Sequence, residues 1–311
     1  AVGIKKTNLP LDRLSVLGFM AGVYISMGAF LAIKTSTNWD ETIVNPDGTT
    51  STVKASAGLK SLIFAATFPL GLMFVLINGA ELFTGNHSAL IPALVHKKIT
   101  LQGLAKSWGI CFLTNFLGSL FWAYFFVYLT DAFEDEPFKS RVQGIAEKKV
   151  DYGWGQVFLL AIGCNWLVNL AVTMSNQAHD VLAKMVGTWF PIMAFVALGF
   201  EHSVANMFFI PLGMMYGADV SVGQFLWNNL IPVTLGNIFG GAFFVGFLHT
   251  YIHIWNTEEE TKKPKARVQV VFPSNSHFNL VRTRLNTLTF VFGIEVEFSH
   301  LQRCINHHSP I

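Results

Sequence analysis

Long uncharged apolar runs alternate along this chain with short polar or charged connections, and that alternation predicts the elements. Leu14 to Ile33 carries no charge. A helix of that length rises about 30 Å, enough to cross the hydrocarbon core of a bilayer. Ser107 to Thr130 and Tyr152 to His179 are also uncharged and long enough. Val220 to Asn256 exceeds one span, so part of it should tilt or project.

Two further runs break the pattern. Ser61 to His96 holds one charged residue, Glu81, and Met185 to Ala218 holds one, Glu201, with histidines taken as neutral. Each is too long for one crossing, and neither contains a loop suited to two. Each has a proline before the glutamate, a glycine close to it and a proline after it: Pro69, Gly79 and Pro92 in the first, Pro191, Gly199 and Pro211 in the second. Such punctuation predicts a helix that enters, breaks near mid-membrane and resumes. Irregular backbone at that depth is tolerated only where it is buried in protein or lines a wet cavity. The expected fold is an all-α membrane protein with six transmembrane helices, two of them broken.

The connections give an orientation. The loops 36–56 and 131–151 carry most of the acidic residues, while Lys5, Lys6, Arg13, Lys97, Lys98, Lys184 and Lys262 to Arg267 fall on the other side. That bias places both termini in the cytoplasm. The expected organisation is a cytoplasmic N-terminal segment 1–12, a transmembrane domain 13–256 and a flexible cytoplasmic tail 257–311. No cleavable signal and no organelle-targeting pattern is visible, so the plasma membrane is the expected site.

Composition agrees. Of 311 residues, 52% are hydrophobic and 13% charged, against about 25% charged in a soluble domain. A net charge of +2 points to no nucleic-acid partner. Cys111, Cys164 and Cys304 are too few for a disulfide framework and read as packing residues.

A repeat then points to a site. Glu81–Asn86 and Glu201–Asn206 both read Glu, four residues, Asn; downstream, Asn115-x-x-Gly118 parallels Asn237-x-x-Gly240. Asn115 follows Glu81 by 34 residues and Asn237 follows Glu201 by 36. Three spans per half force opposite orientations, an inverted three-plus-three repeat with its solute site near mid-membrane between the broken helices. Half-helix amino termini there favour anions.

Ionisable residues at membrane depth need a partner or a task. Glu81 and Glu201, with Asn86 and Asn206 in the matched motifs, are expected to anchor the breaks, the carboxylates accepting from freed backbone N–H groups. Facing the path, they would repel an anion. His202 sits at the break itself and is expected to offer a hydrogen bond or a proton to a passing solute. His87, just after the first break, reads equally as packing or as functional. Lys148 and Lys149 read as a solvated run or as a positive vestibule. Asn165 and Asn169 point into a span, where Asn165 either lines the path or bonds another helix. Phe68, Leu72, Leu82, Phe83 and Phe195 cluster near the breaks as candidate apolar constrictions.

These residues also carry a resemblance. Gly199-Phe-Glu-His-Ser-Val-Ala-Asn-Met207, Gly79-Ala-Glu-Leu-Phe-Thr-Gly-Asn86, Ile145-Ala-Glu-Lys-Lys149 and Leu230-Ile-Pro-Val-Thr-Leu-Gly-Asn237 resemble, in order, segments of the formate–nitrite transporter family. The resemblance covers about residues 11 to 255. It implies an aquaporin-like protomer assembled as a homopentamer, with constrictions formed by Phe68, Leu72, Leu82, Phe83 and Phe195 around His202. It further implies roles for Thr84 in the loop, Lys149 and Asn165 along the path and Asn237 near the centre. The implied cargo is a small monovalent weak-acid anion, such as formate, nitrite or lactate. From the residues themselves the anion is expected to take up a proton at the apolar constriction, with His202 or its water as donor, and no cofactor or metal is expected.

A water or small neutral solute channel of aquaporin type is the alternative, although paired Asn-Pro-Ala motifs are absent. No Gly-x-Ser-x-Gly or His-Glu-x-x-His sequence supports an enzyme.

Overall fold

The computed structural model describes residues 2–39, 41–44, 50–53 and 56–255, all within a compact unit 1–263; the expected tail 257–311 lies outside the described residues. Among the described residues, five helices are long and apolar enough to cross a membrane: Leu11–Ser36, Ala57–Asn78, Leu101–Tyr128, Trp154–Gln177 and Val222–His253. Two shorter apolar helices, Val181–Ala197 and Ser203–Met215, make up the rest of the apolar sequence around Glu201. This is an integral membrane protein, because such helices leave no backbone group for lipid to satisfy.

In chain order, α1 (Val2–Thr7) precedes α2 (Leu11–Ser36). Next come α3 (Ala57–Thr67), α4 (Leu70–Asn78) and, after a break holding a single 3-10 turn, α5 (His87–Val95). The helix α6 (Leu101–Trp122) ends in a π-helical stretch to Tyr128. It is followed by the amphipathic α7 (Phe138–Asp151), then α8 (Trp154–Gln177), α9 (Val181–Ala197) and α10 (Ser203–Met215). The last helix, α11, runs over Val222–His253 with several π-helical turns. One feature departs from the all-α expectation. In the loop after α2, Glu41–Val44 (β1) pairs antiparallel with Thr50–Val53 (β2).

Local sequence accounts for the helix ends. Thr100 caps α6 by accepting from the Gly103 N–H, and Asp180 caps α9 by accepting from Ala183. Ser221 and Gln224 form a reciprocal capping box at the start of α11. The two breaks fall at Gly79 (φ 70°) and Gly199 (φ 69°), both left-handed, a conformation that brings glycine no steric cost. The prolines do not mark the breaks: Pro92, Pro191 and Pro211 lie inside α5, α9 and α10. Neighbouring helices take up part of the cost. Beside the kink at Pro69, the Ala66 carbonyl accepts from Trp189 Nε1 at 2.8 Å.

Small residues let helices approach closely enough to hold the breaks. A Cβ at Gly22 of α2 would overlap the Asn115 carbonyl of α6, and one at Gly240 of α11 would overlap the Ile162 carbonyl of α8. These α2–α6 and α8–α11 contacts bring Asn115 and Asn237 to the two breaks.

Candidate functional site

Asn115 and Asn237 are fully buried and do the same work at each break. Asn115 Oδ1 accepts from the Phe83 N–H at 2.8 Å, and its Nδ2 donates to the carbonyls of Gly18 (2.8 Å) and Glu81 (3.0 Å). Asn237 Oδ1 accepts from the Ser203 N–H at 2.9 Å, and its Nδ2 donates to Ala161 and Glu201 at 2.9 Å each. The glutamate amides complete the match, Glu81 donating to the Leu17 carbonyl and Glu201 to that of Leu160. Backbone groups released by each break are thus satisfied by an amide side chain from a packed helix, as burial demands.

The glutamate carboxylates differ from the expectation, in that their recorded partners are side chains. Glu81 accepts from Lys6 Nζ at 2.8 Å and from Asn86 Nδ2 at 2.9 Å. Glu201 accepts from Lys149 Nζ at 2.9 and 3.0 Å, from Asn206 Nδ2 at 2.6 Å and from Asn229 Nδ2 at 3.4 Å. Each carboxylate is 4–5% exposed, and its lysine comes from a helix outside the long spans. A buried carboxylate without a cation would cost several kcal/mol, about the penalty of an uncompensated ion. Lys149 therefore lies along the cavity wall as half of an ion pair, its ammonium 5.5 Å from the Phe209 ring.

His202 is the N-cap of α10, its Nδ1 accepting from the Ala205 N–H at 3.1 Å. An amide N–H can only donate, so Nδ1 carries the lone pair and Nε2 carries the hydrogen. Nε2–H then donates to Thr84 Oγ1 at 2.7 Å, joining the two breaks. A second proton would set Nδ1–H against the Ala205 N–H, so the cap holds the ring in one neutral tautomer.

A cavity of about 900 Å³ reaches from the α7 side to His202; Lys60, Arg141, Lys148, Lys149, Phe68 and Phe209 are among its walls. Arg141 is exposed to this cavity; partial desolvation by the surrounding protein draws its guanidinium below its ordinary pKa, yet an arginine keeps its charge. A second, much smaller space of about 10 Å³, room for roughly one water, shares Phe68, Phe195 and His202 with this cavity. The walls there are Ile25, Phe68, Leu72, Leu82, Val168, Ile192 and Phe195, with His202 the single polar residue among them. Phe68 and Phe195, edge to face at 5.9 Å, belong to both spaces.

Four of the five expected constriction residues thus meet at one place. Phe83 stands apart from the narrow pocket, its ring against His87 (5.3 Å), Trp108 (6.2 Å) and Phe112 (5.2 Å). Thr84, Asn165 and Asn237 are fully buried and line neither space. Asn165 Nδ2 donates to the Asn237 carbonyl at 2.6 Å, and Asn169 Nδ2 donates to that of Thr84 at 3.0 Å. Sequence reasoning missed Lys6 and Asn229 as members of the glutamate networks. An uncharged amide in the apolar run of α11 was a usable signal for Asn229; the pairing of Lys6 with Glu81 had none beyond the analogy with Lys149.

The comparisons with known proteins point the same way. The model of the family described as "Formate/nitrite transporter" matches residues 1–251. The "Uncharacterized transporter YrhG" of Bacillus subtilis is 42% identical over 266 residues, 86% of this chain and 94% of its own. The "Probable formate transporter" of Methanothermobacter thermautotrophicus is 41% identical over 268 residues, 82% of this chain and 93% of its own. Among solved structures, a "Pentameric formate channel with formate bound" is similar at TM-score 0.65 and 28% identity, covering 78% of this chain and 97% of that one.

Proposed function

The chain belongs to the formate/nitrite transporter family, and from that premise we propose that it conducts small monovalent weak acids, of the formate, nitrite and lactate class, as anion plus proton. The observation that carries the reading is the apolar pocket beyond the cavity, whose single polar lining residue is a histidine capped into one neutral form. Relatives named as transporters and channels support transport over catalysis.

The architecture proposed with it is six spans, the two broken helices α3–α4–α5 and α9–α10 counting as one each. They form an inverted three-plus-three repeat in an aquaporin-like protomer. The paired Asn115 and Asn237 bonding supports the repeat, because two unrelated breaks would have no reason to share it. The pentameric relative supports a homopentamer with one path per subunit. We place the protein in the plasma membrane with both termini in the cytoplasm.

In this mechanism the anion enters the cavity, where Lys148, Arg141 and the Lys149–Glu201 pair shape the field. At the Phe68–Phe195 ring pair, loss of water penalises its charge, so its own pKa rises. The proton comes from the external solution, relayed by cavity water, since His202 holds only its Nε2–H. That group donates a hydrogen bond to the passing acid in exchange for Thr84. The neutral molecule crosses the apolar pocket, while the bare anion faces a large desolvation cost.

Reconstituted protein in liposomes tests this with labelled formate, nitrite and lactate at about pH 5.5 and about pH 7.5, a range that brackets an ordinary imidazole. Uptake should be faster at the lower pH, and the ranking of solutes names the cargo. Uptake independent of pH would refute proton-linked transport. Fast osmotic water flow with no acid uptake would favour the neutral-solute channel instead.

A further inference from the structure

We propose that His87 is a second hydrogen-bonding station, which takes the O–H of the protonated acid on the other side of Thr84 from His202. This rests on the weak-acid reading above and deepens it. His87 opens α5 and is completely buried. Its Nδ1 lies 2.8 Å from the Thr84 carbonyl and 3.3 Å from Asn165 Nδ2. The carbonyl can only accept and is the nearer, and Asn165 Nδ2 already donates to the Asn237 carbonyl at 2.6 Å, so Nδ1 carries the hydrogen and Nε2 a lone pair. The two histidines therefore bracket one residue with opposite polarity. His202 presents N–H to the Thr84 hydroxyl, and His87 presents a bare acceptor beyond the Thr84 carbonyl.

That acceptor has no hydrogen-bond partner among the described residues. Asn165 Oδ1, also fully buried, has none either, and its amide cannot turn over because Nδ2 is held by the Asn237 carbonyl. Trp108 lies against His87 with ring centroids 4.6 Å apart, its Nε1–H buried and equally unmatched. Native proteins seldom leave such groups unsatisfied, so a cluster of them marks a place where something passes or binds. On the α11 side the cluster is tightly closed, since a Cβ at Gly241 would collide with Asn165 and Asn169.

The chemistry of these atoms selects the ligand. Two lone pairs, on His87 Nε2 and Asn165 Oδ1, repel an anion and call for a donor. A deprotonated monovalent oxyanion has no O–H to give. The protonated acid has one, and its carbonyl oxygen can accept from Trp108 Nε1–H. Water is the other small molecule with suitable donors.

Two amide substitutions separate this role from mere anchoring. His87→Asn keeps a donor for the Thr84 carbonyl and loses the acceptor at the Nε2 position. His87→Gln places an amide near the Nε2 position and gives up the bond to Thr84. Initial formate uptake at acidic pH should fall about fivefold in His87→Asn, the worth of one neutral hydrogen bond, and stay within about twofold of wild type in His87→Gln. An asparagine variant that transports as well as or better than the glutamine variant overturns the proposal. Osmotic water permeability of the same vesicles distinguishes the ligands, and a change confined to water flow overturns the assignment to the acid. Should neither amide variant assemble, Trp108→Phe decides. A rate about fivefold lower supports the station, and an unchanged rate overturns it. Wild-type vesicles without formate uptake would remove the transport reading and this one together, whereas wild-type flux with unaffected variants removes His87 alone.

Discussion

Replacing Lys149 by methionine should cost far more than the charge it removes. Lys149 Nζ holds both oxygens of Glu201 at 2.9 and 3.0 Å, with side-chain exposures of 16% and 4%. Removing one partner of a buried pair costs about 3–5 kcal/mol, because the other charge is left without compensation. Asn206 and Asn229 still donate to Glu201, and Lys149 is partly wet, so the lower end, about 3 kcal/mol, is expected. That shifts the unfolding equilibrium by about two orders of magnitude. Adding Glu201→Gln removes the stranded charge while keeping an acceptor for the two asparagines, so the double variant should lie within about 1 kcal/mol of wild type. The coupling between the two positions is then about 2–3 kcal/mol, read from detergent unfolding of the two single variants, the double variant and the parent. If the single effects simply add, the pair does not hold the break and the account given for Glu201 is wrong.

Other consequences are as direct. Asn237→Ala strands the Ser203 N–H and the Glu201 carbonyl, and at about 1–3 kcal/mol for each buried group it should speed hydrogen exchange at Ser203 by orders of magnitude. His202→Asn preserves an acceptor for the α10 N-cap and His202→Phe does not, so the phenylalanine variant should be less stable by about 1 kcal/mol in thermal unfolding. Gly240→Ala drives a methyl into the Ile162 carbonyl and should cost about 1–3 kcal/mol, visible as lost assembly in size-exclusion chromatography. Phe195→Ala opens the narrow pocket and should raise lactate uptake relative to formate; an unchanged ratio would mean that size is selected elsewhere.

The four charge-free runs became four of the five long helices, the run before Glu81 gave the fifth, and Glu81 and Glu201 marked the two breaks. Both follow from a local rule: lipid penalises every charge and every unpaired backbone group, so span and exception are written in composition. Gly79 and Gly199 were legible for a similar reason, since a left-handed residue at a helix end favours glycine. Both copies of Glu-x4-Asn set the asparagine amide on the glutamate carboxylate, and both copies of Asn-x-x-Gly bring an asparagine to the backbone of a break.

Partnership was not legible. Lys6 meets Glu81 across 75 residues, Lys149 meets Glu201 across 52, and Thr84 meets His202 across 118. Nothing near any of these positions specifies the other, and the path of α1 or α7 over the spans settles them. The hairpin β1–β2 within a polar loop escaped for want of a hydrophobic alternation. Phe83 and Leu82 are neighbours in sequence, yet one packs on Trp108 and the other faces the narrow pocket, a division set by how the break is rotated against α6. Hydrophobicity along the chain therefore determined that this protein spans a membrane and where its helices interrupt. Only the packed helices decided which charges neutralise each other and which nitrogen of each histidine carries its proton, because those depend on atoms brought together from distant parts of the chain.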